Sequence, residues 1–234
     1  MSLPNYSRQR RASAITPMKE RKDFIADSFK FTKDLEGISL RTLQEHFKLY
    51  EGYVKKTNEI QKKVAEADKS EANGVYSFIG ELKRQETFAV NGMKLHEVYF
   101  AHLGGDPSTS SASSPQAGSG QVGKPAGELL KMIERDFSSL DALKEEMIAT
   151  GLSARGWVIL AFDFKDSRLH IYGSDAQNVG AVWGAVPVIA MDVYEHAYFI
   201  DYGTNRKEYV NAFFHNLDWN FANSLIEKYG LNKR

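Results

Sequence analysis

The sequence has no cysteine. That excludes disulfides, thiolate metal sites and cysteine nucleophiles, so any metal must be held by nitrogen and oxygen. It has no excess of either charge, since 30 Lys plus Arg balance 30 Asp plus Glu. Net charge therefore gives no sign of a nucleic-acid or strongly acidic partner. No apolar run approaches the roughly 20 residues that span a bilayer, and the N-terminus lacks the apolar core of a secretory signal. These absences lead us to expect neither a nucleic-acid nor a membrane partner and a cytoplasmic location, with organellar targeting by a basic N-terminus as the alternative. Histidine is scarce too, with six in the chain, so each can be weighed singly.

At 234 residues the chain is long enough to bury a core, as one large domain or two small ones. Arg8, Arg10, Arg11, Lys19, Arg21 and Lys22 make the start basic, and residues 1–30 read as a flexible extension. From Gly104 to Gly127 the chain is Gly, Ser, Pro, Thr and Ala with almost no apolar content. Such a composition cannot bury enough surface to order itself. We expect a linker over 105–127, a helical-hairpin domain over 31–104 and an α/β domain over 128–234.

In the first half Leu43, His46, Tyr50, Tyr53, Thr57, Ile60 and Val64 recur at spacings of three and four, a helix stripe. A second helix is expected from about Asn91 to His102, after a polar break at residues 69–74. In the second half, Ser138 with Asp141 resembles a capping box. Residues 157–164 and 169–172 read as strands about a turn at 165–167, residues 186–191 as a third strand, and 207–229 as a closing helical region. The fold class is α+β: a long N-terminal helical hairpin, then helices around a three-stranded antiparallel sheet.

Asp192 and His196 form the one pair whose spacing implies a joint role. In a helix that spacing puts both heads on one face; after the 186–191 strand, Asp192 is expected to end a strand and His196 to lie in a turn or loop. A metal ion would satisfy both. His46 and His96 lie on apolar faces, where a lone imidazole is more often a core residue than a ligand. His102 reads as solvated at a helix end, His170 points to the opposite sheet face, and His215 reads as structural.

The segment Asp192-Val193-Tyr194-Glu195-His196-Ala197-Tyr198 closely resembles the Asp-Val-Trp-Glu-His-Ala-Tyr signature of iron/manganese superoxide dismutases. The resemblance runs through Tyr202, Arg206, Tyr209 and Trp219, and takes in residues 127–138, Gly156-Trp157 and the first helix from Ile38-Ser39. It implies the family's four metal ligands at His46, His96, Asp192 and His196, holding one Mn or Fe ion per subunit. It also implies superoxide as substrate, disproportionated to dioxygen and hydrogen peroxide. Glu195 matches a residue that crosses a twofold interface to the partner's ligand His, which implies a homodimer through the Glu195–His196 region.

The surrounding residues depart from the family in places. The family's Gln is absent from the second helix, where Gly92 stands, and Gln177 matches its sheet-half position; that pattern resembles the manganese type. Tyr53 matches the active-site Tyr but lies one residue nearer His46. Two regular turns separate the two, so Tyr53 faces the same way; the chain has lost an extra-residue bulge and kept the orientation. Trp157 is retained, and Tyr194 replaces the signature Trp. The gateway His is replaced by Leu49 or Tyr50, and its cross-dimer Tyr partner by Phe199. These losses leave open a metal-binding relative with weak or no activity, acting as a structural or interaction protein. Tyr53 and Gln177 are the expected catalytic residues, with Trp157, Tyr194, Glu195 and Arg206 around them and Arg206 steering the anion.

Overall fold

The computed structural model describes residues 22–104 and 124–233. The expectations for residues 1–21 and for most of the 105–127 linker lie outside the described residues.

Two long helices come first. Helix α1, Leu40–Glu66, starts where Ser39 Oγ accepts from Thr42 N–H, relieving one orphan donor of the first turn. It runs without a break and buries Leu43, His46, Phe47, Tyr50, Val54 and Thr57. Helix α2 is Phe78–His102, capped by Ser77. It begins well before Asn91, a correction to the sequence reading. Its first turns bury only Leu82 and Ala89, too few to show a stripe. The two helices run antiparallel, with His46 against Phe100 and Tyr53 against Phe88.

The preceding segment, residues 22–35, is strapped across this pair. Asn58 pairs with both backbone groups of Phe24, and Asp27 N–H donates to Tyr50 OH at 2.8 Å. Phe29 adds edge-to-face contacts with Phe31 and Phe47.

The second part begins with α3, Gly127–Phe137, and α4, Leu140–Ser153. Ser138 does not cap α4. It ends α3 in the left-handed region at φ 70°, and Ser139 Oγ accepts from Ala142 N–H to start α4. The two helices abut so closely that the capping signal was read one residue early.

The sheet has order β2-β1-β3, with β1 Trp157–Asp163, β2 Arg168–Ser174 and β3 Ala185–Asp192, all antiparallel. The central strand β1 is buried on both faces, which explains its unbroken apolar run. The β1–β3 register slips between Leu160 and Ala161, opposite Pro187. Proline has no N–H to give a ladder and is tolerated on an edge strand beside such an irregularity. At the other end Trp157 pairs with Ser174 on one side and Asp192 on the other. After β3 come a 3₁₀ turn, Glu195–Ala197, and the helices α5 Phe199–Tyr202, α6 Arg206–His215 and α7 Trp219–Lys228. The expected closing helical region consists of α6 and α7.

His102 is a further correction. It is buried rather than solvated, and its ring nitrogens face two carbonyls: Nδ1 that of Val98 at 2.5 Å and Nε2 that of Val188 at 2.7 Å. It ties the end of α2 to strand β3. His170 is half-exposed and pairs with Asp166, and His215 is exposed.

Candidate metal centre

Four elements bring four side chains together. His46 comes from α1, His96 from α2, Asp192 from the last position of β3, and His196 from the 3₁₀ turn after it. One ligand atom from each lies within 4.8 Å of the others. Asp192 ends β3 and His196 lies in the turn after it, the strand-end placement expected from the sequence rather than a shared helix. The strand end and the 3₁₀ turn bring them together instead, with His196 Nε2 3.1 Å from Asp192 Oδ2. His46 Nε2 is also 3.1 Å from Oδ2, and His96 Nε2 3.6 Å. The three rings converge on one oxygen.

The carboxylate is aimed. Tyr194 N–H donates to Asp192 Oδ1 at 2.9 Å, which leaves Oδ2 for the imidazoles. His96 is aimed too. Its Nδ1 donates to the Gly92 carbonyl at 2.6 Å, so Nε2 is unprotonated and points its lone pair into the cluster. That buried nitrogen has no hydrogen-bond partner. A lone pair without a donor, beside a buried carboxylate and two more imidazoles, is the donor set an N/O-ligated divalent or trivalent metal ion needs.

Charge points the same way. Burial holds His46 below the usual imidazole range despite the Asp192 carboxylate beside it. Burial and then the neighbouring His46 push His96 down to about 3. Burial alone would raise Asp192, but His196 and His46 outweigh it and hold the carboxyl low. His196 is raised: burial pushes it down, and the Asp192 charge more than offsets that. A single carboxylate among three imidazoles calls for positive charge at the centre of the cluster.

A second layer surrounds these four. Trp157 Nε1 donates to Gln177 Oε1 at 2.5 Å, and Gln177 Nε2 donates to Tyr53 OH at 3.0 Å. Trp157 and Gln177 are buried. The indole fixes which end of the amide is oxygen, so the amide nitrogen must face Tyr53. Tyr53 lies against His96, with ring centroids 5.2 Å apart, and Trp157 stands edge-on to the same imidazole. Tyr194 stacks on His196.

Two glycines make this layer possible. A Cβ on Gly92 would lie 2.7 Å from the Tyr53 ring; the missing side chain is what lets that ring pack against α2. A Cβ on Gly156 would meet the Ser174 carbonyl at 2.8 Å and the Tyr194 ring at 3.0 Å.

The remaining site candidates lie further out. Arg206 donates to the Ala154 carbonyl at 2.7 Å and to Tyr198 OH at 3.1 Å, tying the end of α4 to the turn that carries His196. Glu195 is exposed, and its side chain forms no hydrogen bond or ion pair within the described residues. Phe199 is 51% exposed beside it. Tyr50, one of the two residues expected in place of the gateway His, turns its hydroxyl to Asp27 N–H and Glu97; the other, Leu49, is exposed. The sequence reading passed over one more pair: Tyr209 OH donates to the Asp192 carbonyl at 2.6 Å and meets Tyr99 OH at 3.2 Å. The signal available was Tyr99 standing three residues after His96, on the same helix face.

Residues 125–225 match the family model described as iron/manganese superoxide dismutases, C-terminal domain. The chain is similar to "Superoxide dismutase [Fe]" of Aquifex aeolicus, 43% identical over 84% of this chain and 87% of the relative. The family is settled by that match. The chain belongs to the iron/manganese superoxide dismutases. Other members similar to it carry either metal in their names. "Superoxide dismutase [Fe]" of Cupriavidus metallidurans is 37% identical over 80% of this chain and 88% of the relative. "Superoxide dismutase [Mn] 2" of Haloferax volcanii is 34% identical over 73% and 77%. As a member of this family, the chain has the α+β architecture expected, with the long helix pair preceding a three-stranded antiparallel sheet. Among the described residues, no helix is long and apolar enough to cross a membrane.

Proposed function

We propose that this protein is a superoxide dismutase that converts superoxide to dioxygen and hydrogen peroxide at a single Mn or Fe site per subunit. The observation that carries it is the convergence of His46, His96, Asp192 and His196 within 4.8 Å, with the His96 Nε2 lone pair unpartnered. These four residues would hold the ion. When bound, the ion supplies a one-electron couple that takes one superoxide to dioxygen and the next to peroxide. Three neutral imidazoles and one carboxylate cancel only one unit of its charge, and the positive remainder attracts an anion. His196, whose side chain is 30% exposed, marks the side from which a small anion enters.

The chain's own residues manage protons. Peroxide leaves with two. Tyr53 OH accepts from Gln177 Nε2, so its own proton is free to be given. Burial raises the Tyr53 pKa, and Gln177 opposes this only in part, which keeps the phenol protonated at neutral pH. Gln177 has a second amide hydrogen to offer, because Trp157 occupies the oxygen. Manganese is favoured over iron by the paired arrangement of Gly92 and Gln177, in which the amide comes from the sheet half and Tyr53 fills the space beside α2. The Glu195 side chain is exposed and unpartnered among the described residues, so it would be free to accept from the ligand His of a second copy, which supports a homodimer.

Metal analysis and a superoxide-consumption assay on Mn- and Fe-loaded protein test the reading. Turnover with the Mn form, lost in His46→Ala and His196→Ala, is the expected result. Full metal occupancy without turnover would leave only a metal-binding relative. A protein that takes up no ion would remove the site itself. Glu195→Ala should weaken the dimer in sedimentation; an unchanged association constant refutes the interface role.

A further inference from the structure

We propose that Tyr209 and Tyr99 are positioning residues for the metal site, a directed pair of hydroxyls that sets the orientation of Asp192; this rests on the metal-site reading above. A carbonyl oxygen only accepts, so at 2.6 Å Tyr209 OH must donate to the Asp192 carbonyl. Its single proton is then committed. Tyr99 OH, 3.2 Å away, must therefore be the donor to the Tyr209 oxygen. The direction runs from Tyr99 on α2, through Tyr209 on α6, to the end of β3. Both tyrosines are fully buried.

The consequence is local to the Asp192–Val193 peptide. Its carbonyl is held by Tyr209, and its N–H donates to the Gly156 carbonyl at 2.8 Å. Both ends of one peptide plane are gripped, so its rotation is blocked. Asp192 hangs on this plane, and Tyr194 N–H caps its Oδ1. Oδ2 is thus left in one direction only, toward the three imidazoles. Release of the carbonyl would free the plane to turn about the strand end and carry the carboxylate with it. Tyr99 has a second connection: its ring centroid lies 4.8 Å from that of His46, so the pair touches the site from two sides. Outer partners of ligands are worth about 10–100-fold in metal affinity. Here the contact is to the ligand's backbone, so the low end applies.

The test uses full-length Mn- and Fe-loaded protein and the variants Tyr209→Phe, Tyr99→Phe and the double variant. Phenylalanine keeps each ring and its packing. The readouts are the paramagnetic resonance and visible spectra of the bound ion and its affinity by competition with a chelator. Tyr209→Phe should shift the spectrum and weaken binding about tenfold. Tyr99→Phe should do the same to a smaller degree, and the double variant should match Tyr209→Phe alone, because Tyr99 acts through Tyr209. Should Tyr209→Phe not fold, Tyr99→Phe carries the test by the same spectral shift. Bound ion with an unmoved spectrum, or additive effects of the two changes, overturns this inference alone. A wild-type chain that takes up no ion overturns the metal-site reading and this inference with it.

Discussion

Gly92→Ala pits two known quantities against each other at the site's edge. Gly92 lies inside α2, where Ala is the better helix residue by about 1 kcal/mol. On a solvent-facing helix that would be the whole effect, and the variant would gain stability. Here the new Cβ would meet three Tyr53 ring atoms at 2.7, 2.8 and 2.9 Å. Contacts that short force the ring to move, and overpacking of this kind costs about 1–3 kcal/mol. The net expectation is a loss of about 0–2 kcal/mol, with the Gln177–Tyr53 hydrogen bond at 3.0 Å broken as the ring shifts. The decisive measurement is the same substitution in a Tyr53→Ala background. With the ring gone, only the helix term survives, and Gly92→Ala should stabilise by about 1 kcal/mol. For a chain of this size that is a rise in Tm of roughly 2–4 °C by calorimetry. The sign of one substitution therefore reverses with the residue on the facing helix, and the double-mutant cycle returns a coupling of about 1–3 kcal/mol. Equal destabilisation in both backgrounds refutes the reasoning, because the cost would then come from something other than Tyr53.

Three other outcomes follow from the same structure. Glu97 is half-buried, and its pKa is raised, first by burial and then by the charge of Asp27. A folded-state pKa above the unfolded one favours the native state only at low pH. Glu97→Gln, which keeps an acceptor for Tyr50 OH, should raise Tm at pH 7, and its advantage should vanish below about pH 4; an equal gain at both pH values counts against this account. His102→Leu keeps the volume buried but strands whichever of the Val98 and Val188 carbonyls receives the single N–H of this neutral imidazole, at a cost of about 1–3 kcal/mol. That is a drop in Tm of roughly 2–12 °C, and no drop would mean that this carbonyl finds another partner. Chelation of the bound ion should lower Tm, by about 2.7 kcal/mol of lost stabilisation if the ion had been present at 100 times its dissociation constant. His96→Ala should abolish that metal-dependent increment, and its persistence would remove His96 from the ligand set.

The helix face of His46 and the β-strands were legible because each carries a periodic signal made by the chain's own neighbours. The stripe from Leu43 to Thr57 is set by residues three and four apart, and the structure buries Leu43, His46, Tyr50 and Thr57 of it. The first turns of α2 carry no such signal, since Leu82 and Ala89 are nearly their only buried residues. His102 was misread for a different reason. Its surroundings in sequence, a helix end beside Gly104 and Gly105, suggest water, while the group that encloses it lies 86 positions away on β3. The Asp192–His196 pair shows the reverse: the four-residue spacing suits a helix, but the strand before it points to a strand end and a turn, and these produce the proximity. Spacing reports that two residues are near, and more than one backbone path satisfies it.

Tyr50 bears on how the site works without a gateway histidine. It stands one turn before Tyr53 on α1, and its hydroxyl is used up, accepting from Asp27 N–H and donating to Glu97. Burial raises its pKa to about 12. With both its lone pair and its proton engaged, the hydroxyl holds the 22–35 strap on the helix pair. Phe199, at the position of the gateway's partner, has no hydroxyl to leave unsatisfied, and at 51% exposure it needs none. On the function proposed above, proton delivery falls to the chain of side chains from Trp157 to Gln177 to Tyr53. Each member of that chain fixes the next: the indole orients the amide, the amide occupies the phenol's lone pair, and the phenol's proton is left free. Loss of the gateway therefore concentrates the burden on Gln177, and Gly92 is the residue whose absence of a side chain keeps Tyr53 within its reach.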